Sequence, residues 1–280
     1  MSGTLYVVGT PIGNLGDITE RQLEILGSVD FIAAEDTRVT RGLLTHFDLH
    51  TPLISYHEHS SEAVISRIAE RLLSGESCAV VTDAGMPCIS DPGALLVQRA
   101  IAEQIPVRVI PGPSAVISAL AVSGQDTGRF CFEGFLSVTK KQRFAHLESL
   151  RREPRTMVFY EAPHKLLNTL HDMLEAFGDR SVTLCRELTK IHEEVTKTTL
   201  SAAEAYYTQN APRGEFVLVI AGAAQTDAEE TPTIESAVQA AKQRIAAGER
   251  AADVCREIAA MTGFPKRKLY QAVLEDDETS

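Results

Sequence analysis

The chain has 280 residues, of which 44% are hydrophobic and 23% are charged, and its formal net charge is −11. This composition indicates a folded protein long enough for two modest domains, and no apolar run approaches the roughly 20 residues that a membrane helix needs. The five scattered cysteines form no CxxC pair, so neither a zinc site nor a disulfide framework is predicted. Because the first residues enter a strand pattern without a basic region and an apolar core, we expect a cytoplasmic protein.

The first half of the chain alternates predicted strands with predicted helices. The strand patterns are LYVVG, FIAAE, CAVVTD and VRVIPG. The helices between them include SSEAVISRIAERLLSG, in which apolar residues recur at helical spacing after a serine cap. Strands that alternate with helices predict a parallel sheet covered on both faces, and hence an N-terminal α/β domain over residues 1–112.

The second half is also α/β, but less regular. Its strand patterns are RFCFEGF, RTMVFYEA, VTLCREL, EVTKTTL and EFVLVIAG. The short connections between the last of these predict antiparallel pairing, and therefore a mixed sheet. We expect this second α/β domain to span residues 113–223, with PGPSA at 111–115 as the hinge between the halves.

The last part of the chain is predicted to be helical. A small, polar and acidic stretch at 224–233 indicates a linker, and three short helical patterns follow it over residues 234–280. Their spacing, with the TG break before Phe264 and a basic last helix, is typical of a helix-turn-helix that contacts nucleic acid. The alternative is a small helical appendage that stabilises the fold or forms a dimer contact.

Four loops rich in Gly, Pro or Asp follow predicted strands. VVGTPIGN is neither a dinucleotide fingerprint nor a P-loop, because Pro11 interrupts it and no Gly-Lys-Ser/Thr follows. AEDTR, DAGMPCISDPG and PGPSA end the other strands, so all four loops share one edge if the sheet is parallel. The Asp83 carboxylate and the mobile glycines suit a ligand with hydroxyls and an ammonium group better than a polyphosphate.

The loops belong to an ordered set of motifs: VGTPIGNLGDIT, AAEDTR, TDAGMPCISDPG, PGPSA, FEGFL, YEAPHKL, CRELTKIHEE and GEFVLVI. As a set they resemble the tetrapyrrole-methylase-like superfamily of S-adenosylmethionine-dependent methyltransferases. They are most similar to the branch that methylates the ribose 2′-hydroxyl of a decoding-centre cytidine in 16S ribosomal RNA. The resemblance implies a cofactor cleft between two α/β domains, a homodimer, and 16S ribosomal RNA as the substrate, either free or within the 30S subunit.

The resemblance also implies which residues hold the cofactor. Asp83, Ala84 and Gly85 are expected around its ribose and methionine part. Further contacts are expected from both halves of the chain, at Pro11, Ser114, Ala115, Tyr160, Leu188, Pro212 and Gly214. The expected cofactor is S-adenosylmethionine, and no metal is expected, since His57 and His59 have no further ligands beside them.

Methyl transfer to a ribose hydroxyl needs a base, or a cation that stabilises the alkoxide. Arg38 of AEDTR and Lys190 of RELTK are predicted as phosphate or oxyanion contacts, and Glu187 as an orienting or basic group. The alternative is that these residues form an ion-pair network between the domains. The sequence does not identify the base.

Two basic segments are candidate RNA contacts: the stretch Lys140–Arg155 and PKRK at 265–268. Phosphate neutralisation there would make binding salt-dependent. Two other functions compete with ribosomal RNA methylation: methylation of a small porphyrinoid-type molecule, and a non-catalytic, cofactor-sensing protein that binds nucleic acid. The first requires no basic C-terminal helix, and the second predicts binding without turnover.

Overall fold

The computed structural model describes residues 2–224, 234–246 and 249–275. The chain divides into two compact units, Met1–Ala223 and Ala224–Ser280. From residue 225 on, the predicted linker lies outside the described residues. No helix within the described ranges is long and apolar enough to cross a membrane.

The first half of the larger unit is built on a five-stranded parallel sheet. Its strands lie in the order β3-β2-β4-β1-β5. The elements are β1 (Leu5–Val8), α1 (Glu20–Ser28), β2 (Phe31–Ala34), α2 (Thr37–His46), β3 (Leu53–Ser55), α3 (Glu62–Leu73), β4 (Cys78–Val81), α4 (Ala94–Ala102) and β5 (Val107–Ile110). Every residue of β2 and β4 is buried, as expected for apolar strands covered on both faces.

Two of these elements are not among those predicted. β3 has only three residues at the edge of the sheet, too few for an alternating pattern to be seen. α2 contains β-branched residues and an internal glycine, which are weak helix formers. Asp36 starts this helix, because its carboxylate accepts a hydrogen bond from the Arg38 backbone N–H at 2.8 Å.

The second half of the unit has a mixed five-stranded sheet in the order β6-β7-β10-β8-β9. Only β6 and β7 pair in parallel, and the other three pairs are antiparallel, which confirms the predicted mixed sheet. Its elements are α5 (Ala115–Val122), β6 (Phe130–Phe135), α6 (Lys140–Ser149), β7 (Thr156–Glu161), α7 (Pro163–Phe177), β8 (Ser181–Arg186), β9 (Glu194–Thr199), α8 (Leu200–Gln209) and β10 (Phe216–Ile220). Helix α5 packs on this second sheet through Val116, Ala119 and Leu120. The boundary between residues 112 and 113 stays a prediction.

The smaller unit contains three helices, α9 (Ile234–Ala246), α10 (Ala251–Thr262) and α11 (Lys266–Glu275). They share an apolar core made by Ala237, Val238, Ala241, Val254, Cys255, Ile258, Leu269 and Val273. Helix α10 ends at Gly263, whose φ of 76° is the left-handed conformation that glycine adopts readily. These helices match the predicted C-terminal extension.

Candidate functional site

A cavity of about 460 Å³ opens beside the carboxyl ends of the parallel strands and is lined from both halves of the larger unit. Glu35 follows β2, Asp83 follows β4 and Ser114 follows β5, so three loops from one edge of the parallel sheet meet there. The second sheet contributes Tyr160, Leu188 and Val217 on the opposite side. This is the edge at which the sequence predicts a ligand.

Most of the predicted cofactor residues lie along this cavity. Those that line it are Asp83, Ala84, Gly85, Ser114, Ala115, Tyr160 and Leu188. The other three, Pro11, Pro212 and Gly214, do not line it. Pro11 instead lines a neighbouring cavity of about 180 Å³, which shares Asp83 with the larger one.

The loop DAGMPCISDPG is tied directly to the loop after β1. Thr10 and Gly85 exchange two backbone hydrogen bonds, at 2.9 and 3.1 Å, and the Thr10 hydroxyl donates to the carbonyl of Thr82 at 3.2 Å. Gly85 has a φ of 84°, while Cys88 and Ser90 adopt positive φ angles of 71° and 62° without being glycine. These positive φ angles and cross-loop hydrogen bonds therefore hold the loop along the cavity.

Carboxylates gather on the first-sheet side. The Asp36 backbone N–H donates to Asp83 at 3.1 Å, and the Asp83 backbone N–H donates to Glu35 at 3.4 Å. Burial raises the pKa of Glu35 above its usual range. Burial, with the charges of Glu35 and Asp83, raises the pKa of Asp91 to about 6. This wall can accept hydrogen bonds from an ammonium group or from hydroxyls.

The second-sheet side carries an aromatic and apolar surface beside its charged residues Glu161, Lys190 and Glu215. The Tyr160 ring centroid lies 4.9 Å from that of Phe132 and 5.4 Å from that of Phe135, in edge and tilted contacts. Burial raises the pKa of Tyr160 to about 12, although a hydrogen bond with the Val116 backbone opposes the shift. With Leu188 and Val217, the rings of Tyr160 and Phe135 form a wall suited to a flat heterocycle, and Phe132 packs behind Tyr160.

Lys190, which was predicted as a phosphate or oxyanion contact, lines the cavity between two carboxylates. Its ammonium lies 2.9 Å from Glu187 and 3.0 Å from Glu215. Glu187 does not line the cavity, and it also accepts the Glu215 backbone N–H at 2.9 Å. That hydrogen bond and Lys190 hold the pKa of Glu187 below its usual range, so the geometry favours an orienting role over a basic one.

Gly214 shapes this arrangement without reaching the cavity. Its φ is 79°, and a Cβ at this position would lie 2.5 Å from Cγ of Glu187. The glycine therefore makes room for the Glu187 side chain in the RELTK turn, where Glu187 itself has a φ of 51°. Gly214 therefore contacts the Glu187–Lys190 ion pair and not the cavity.

Arg38 also lies away from the cavity. Its side chain is 89% exposed, and its guanidinium pairs with Asp36 at 2.6 Å, which lowers the pKa of Asp36 to about 2. Asp36 in turn donates its backbone N–H to Asp83, and the charge of Asp83 also helps to raise the pKa of Arg38, so Arg38 acts on the cavity wall from outside it.

Several lining residues were not predicted. They include Ile12, Met86, Asp91, Phe135, Glu161 and Phe216. Asp91 lies inside a loop that the sequence already singled out, and its charge was the available signal. Glu161 is buried, and it accepts hydrogen bonds from the Ala162 backbone N–H at 2.8 Å and the Thr169 hydroxyl at 2.5 Å, which fixes the start of α7.

The chain resembles known proteins over most of its length. Residues 4–204 match the family described as Tetrapyrrole (Corrin/Porphyrin) Methylases. A protein of Synechocystis sp. named ribosomal RNA small subunit methyltransferase I is 48% identical over 276 residues, covering 98% of each chain. A protein of the same name from Halalkalibacterium halodurans is 46% identical, covering 96% of this chain and 93% of its own.

Solved structures resemble the chain in fold over about four fifths of its length. Uroporphyrin-III C-methyl transferase from Thermus thermophilus, complexed with S-adenyl homocysteine, has a TM-score of 0.56 at 17% identity, over 78% of this chain and 97% of its own. The methyltransferase CobJ has a TM-score of 0.60 at 20% identity, over 80% of this chain and 95% of its own. These likenesses confirm the predicted fold class.

Proposed function

Because the chain belongs to the family of Tetrapyrrole (Corrin/Porphyrin) Methylases, we propose that it methylates the ribose 2′-hydroxyl of a decoding-centre cytidine in 16S ribosomal RNA. The family predicted from the motifs is thus confirmed, and with it the cofactor, S-adenosylmethionine. The proposed substrate is supported by the near-complete match, over 98% of both chains, to a relative named for ribosomal RNA methylation.

The cavity residues fit this cofactor. Its ammonium group and ribose hydroxyls need acceptors, which Asp83 and Glu35 supply, and its adenine needs an apolar surface, which Tyr160, Leu188 and Val217 supply. When bound, the cofactor supplies a methyl group activated by a sulfonium. The protein then has to hold the acceptor oxygen in line, within about 3 Å of that methyl carbon, and exclude water.

Basic side chains support an RNA substrate. Lys140 and Lys141 are exposed at the start of α6, shortly after the lining residue Phe135, and Lys140 also lies 5.2 Å from the Phe144 ring. In the smaller unit, Lys266, Arg267 and Lys268 are exposed in the first turn of α11. We infer that these two groups contact phosphates, and that binding is salt-dependent.

Not every basic residue of the predicted stretch is available for RNA. Arg143 is only 15% exposed and pairs with the buried Asp172 at 2.5 Å. Arg155 is paired with Glu153 at 2.7 Å. Arg143 therefore serves the packing of α6 on α7 and is not part of the proposed RNA contact, for which Lys140 and Lys141 are the side chains to test.

We also propose that the protein acts as a homodimer in the cytoplasm, where ribosomal subunits are assembled. Exposed apolar side chains support a protein contact: Ile101 of α4, Val109 of the edge strand β5, and Ile117 and Val122 of α5. Light scattering after gel filtration checks this, with a mass near twice 30.5 kDa expected. A monomeric mass at micromolar concentration contradicts it.

The proposed reaction is tested by transfer of labelled methyl from S-adenosylmethionine. The substrates are 30S subunits from a strain that lacks the enzyme, naked 16S RNA, and a porphyrinoid. Label in a single cytidine of 16S RNA is expected, with resistance to alkaline cleavage at the 3′ side of that nucleotide, because a methylated 2′-oxygen cannot attack the phosphate.

Two variants belong to this test. Asp83→Ala removes a lining carboxylate and should abolish labelling, whereas Glu24→Ala removes an exposed carboxylate of α1 and should leave it unchanged. Label in the porphyrinoid alone would assign a small-molecule methyltransferase. Cofactor binding without transfer to any substrate would assign a cofactor-sensing protein.

A further inference from the structure

The cavity is lined by five carboxylates, and four of them have protein donors. They are Glu35, Asp83, Asp91, Glu161 and Glu215. Asp83 and Glu35 accept backbone N–H groups, Glu161 accepts a backbone N–H and the Thr169 hydroxyl, and Glu215 pairs with Lys190. Within the described residues, no donor lies at hydrogen-bond distance from the carboxylate of Asp91. Neither oxygen of this lining carboxylate is engaged by the described residues, so both are open to a proton donor in the cavity.

The groups that face Asp91 come from both halves of the chain. The charges of Glu35 and Asp83 raise the pKa of Asp91 from the first-sheet side. The charge of Asp91 in turn helps to raise the pKa of Tyr160 in β7 and of Cys88 in the same loop. Among these neighbours none is a cation. Burial next to two like charges disfavours the ionised form and makes this carboxylate more basic than an exposed aspartate.

The loop around Asp91 is held in one conformation. The Cys88 backbone N–H donates to the Pro92 carbonyl at 3.2 Å across Asp91. Gly93 has a φ of 132°, and a Cβ there would lie 2.6 Å from the Cys88 sulfur. On the other side, a Cβ on Gly134 of β6 would lie 3.2 Å from the Ser90 hydroxyl, so the loop also packs against the second sheet.

We propose that Asp91 is the general base of the methyl transfer. The acceptor hydroxyl oxygen forms its bond to the methyl carbon as the carbon–sulfur bond of the donor breaks, and the electron pair of that bond stays on sulfur. The hydroxyl proton passes to a carboxylate oxygen of Asp91, which releases it to solvent after the product leaves. This assignment rests on the proposed function, because it requires a hydroxyl acceptor.

The predicted catalytic residues are less suited to this step. Glu187 is held ionised by a backbone N–H and by Lys190, and Lys190 is charged between two carboxylates, which raise its pKa despite burial. The competing role for Asp91 is to bind the ammonium group of the cofactor. The two roles differ in what Asp91→Asn does to cofactor binding.

The test compares Asp91→Asn with Asp48→Asn, the same substitution at a side chain that is 98% exposed. Binding of S-adenosylhomocysteine is measured by calorimetry, and single-turnover transfer to 30S subunits is measured from pH 5 to 9 at saturating donor. For Asp91→Asn we expect an affinity within about threefold of the wild type. We expect a rate about 10²–10³-fold lower, the usual contribution of a general base. Asp48→Asn should match the wild type in both.

A second variant tests the assignment through pH. The wild-type rate should fall as the pH drops through about 6, where Asp91 becomes protonated. Glu35→Gln removes one of the charges that raise this pKa, so the acid limb should move to lower pH while remaining present. The carboxyl resonance of Asp91, followed by carbon-13 NMR in the cofactor-free protein, should titrate near the same value and shift in the same direction.

Three results overturn the proposal. If the Asp91→Asn variant has the wild-type rate and pH profile, Asp91 is not the general base. A loss of S-adenosylhomocysteine affinity of tenfold or more, with the rate at saturating donor retained, assigns Asp91 to the ammonium group instead. A wild-type protein that binds the cofactor but labels no hydroxyl of 30S RNA overturns the proposed function, and this assignment with it.

Discussion

Gly9 and Gly112 face each other so closely that neither has room for a side chain. A Cβ on Gly9 would lie 2.8 Å from the Cα of Gly112, and a Cβ on Gly112 would lie 2.9 Å from the Cα of Gly9. These residues follow β1 and β5, which are neighbouring parallel strands. Their contact therefore sets the distance between the loop that carries Thr10 and the loop that carries Ser114, both of which shape the cavity.

Gly9→Ala should consequently lower both stability and cofactor affinity. The added Cβ meets backbone atoms, which cannot rotate away, so we expect a loss of about 1–3 kcal/mol in the free energy of unfolding. The measurements are urea unfolding, and calorimetry with S-adenosylhomocysteine. Gly42→Ala is the control, because nothing lies within 4 Å of its Cβ position in α2, and it should stabilise the protein by about 0.5–1 kcal/mol. Equal stability of the two variants would refute the close-contact argument.

The buried pair Arg143–Asp172 predicts a stability effect where the sequence predicted an RNA contact. The side chains are 15% and 5% exposed, and Arg143 also donates to the carbonyl of Ser137 at 3.1 Å. Arg143→Met leaves Asp172 buried without its cation, which should cost about 3–5 kcal/mol. Urea unfolding measures the loss, and the double variant with Asp172→Leu should recover part of it. A stable Arg143→Met protein with weaker RNA binding would restore the original assignment.

Lys140 and Lys141 should instead affect RNA binding and leave stability unchanged. Each side chain is exposed. Removal of one cation from a phosphate should make the slope of log K against log salt concentration less steep by about 0.7–0.9. Lys140→Glu and Lys141→Glu are therefore compared with Arg67→Glu, the same change of charge on exposed Arg67 of α3. Filter binding to 30S RNA at several salt concentrations gives the slopes. Identical slopes for all three variants would place the RNA contact elsewhere.

Lys190 offers a test of the ion-pair alternative. Lys190→Met removes the cation between Glu187 and Glu215, which then remain as two like charges without a counter-ion between them. If Lys190 holds the RELTK turn in place, Lys190→Met should weaken S-adenosylhomocysteine binding, and Lys190→Met with Glu187→Gln should recover part of the loss. If Lys190 instead contacts the substrate, cofactor affinity stays unchanged and only the transfer rate falls. Calorimetry beside single-turnover assays separates the two cases.

Much of the fold could be predicted from periodicity, because its strands are short apolar runs between punctuated loops. β2 and β4 are buried at every residue, and strands buried on both faces are recognised in the sequence as continuous apolar runs. β3 could not be seen, since three residues carry too little pattern, and α2 depends on the Asp36 cap rather than on strong helix formers. The helix cap at Asp36 and the pairing of β3 with β2 determine these two elements.

The loops that form the site could be predicted from the sequence, whereas the chemical roles of their charged residues could be predicted only in part. Asp83 and Ser114 follow parallel strands, and topology alone brings them together. Asp36 beside Arg38 and Glu187 beside Lys190 are near in sequence, as the ion-pair alternative requires, but the pairing of Lys190 with Glu215, 25 residues away, could not be read from sequence. Asp91 lies in the loop DAGMPCISDPG that the sequence singled out, but its role could not be predicted, because its chemistry arises from burial beside Glu35 and Asp83, which a linear pattern does not display.

Asp91 predicts a stability effect that depends on pH. Its pKa is raised from 3.8 to about 6 in the folded protein, so between these values the folded state binds more protons than the unfolded state. Stability from this group is present at low pH and is lost as the pH rises through about 6. Asp91→Asn carries no charge, and should therefore raise the Tm of the cofactor-free protein above pH 6 and not below about pH 4.

The Asp91 side chain is only partly buried, so solvent screening reduces the expected gain to about 1 kcal/mol. That corresponds to about 2–4 °C in Tm for a domain of this size. Calorimetric scans of wild type, Asp91→Asn and Asp48→Asn at pH 4 and pH 7.5 measure it, and the exposed control should show little change at either pH. A Tm gain that is the same at both pH values would mean that the Asp91 charge is not destabilised in the fold. The basicity required of a proton acceptor would then be absent.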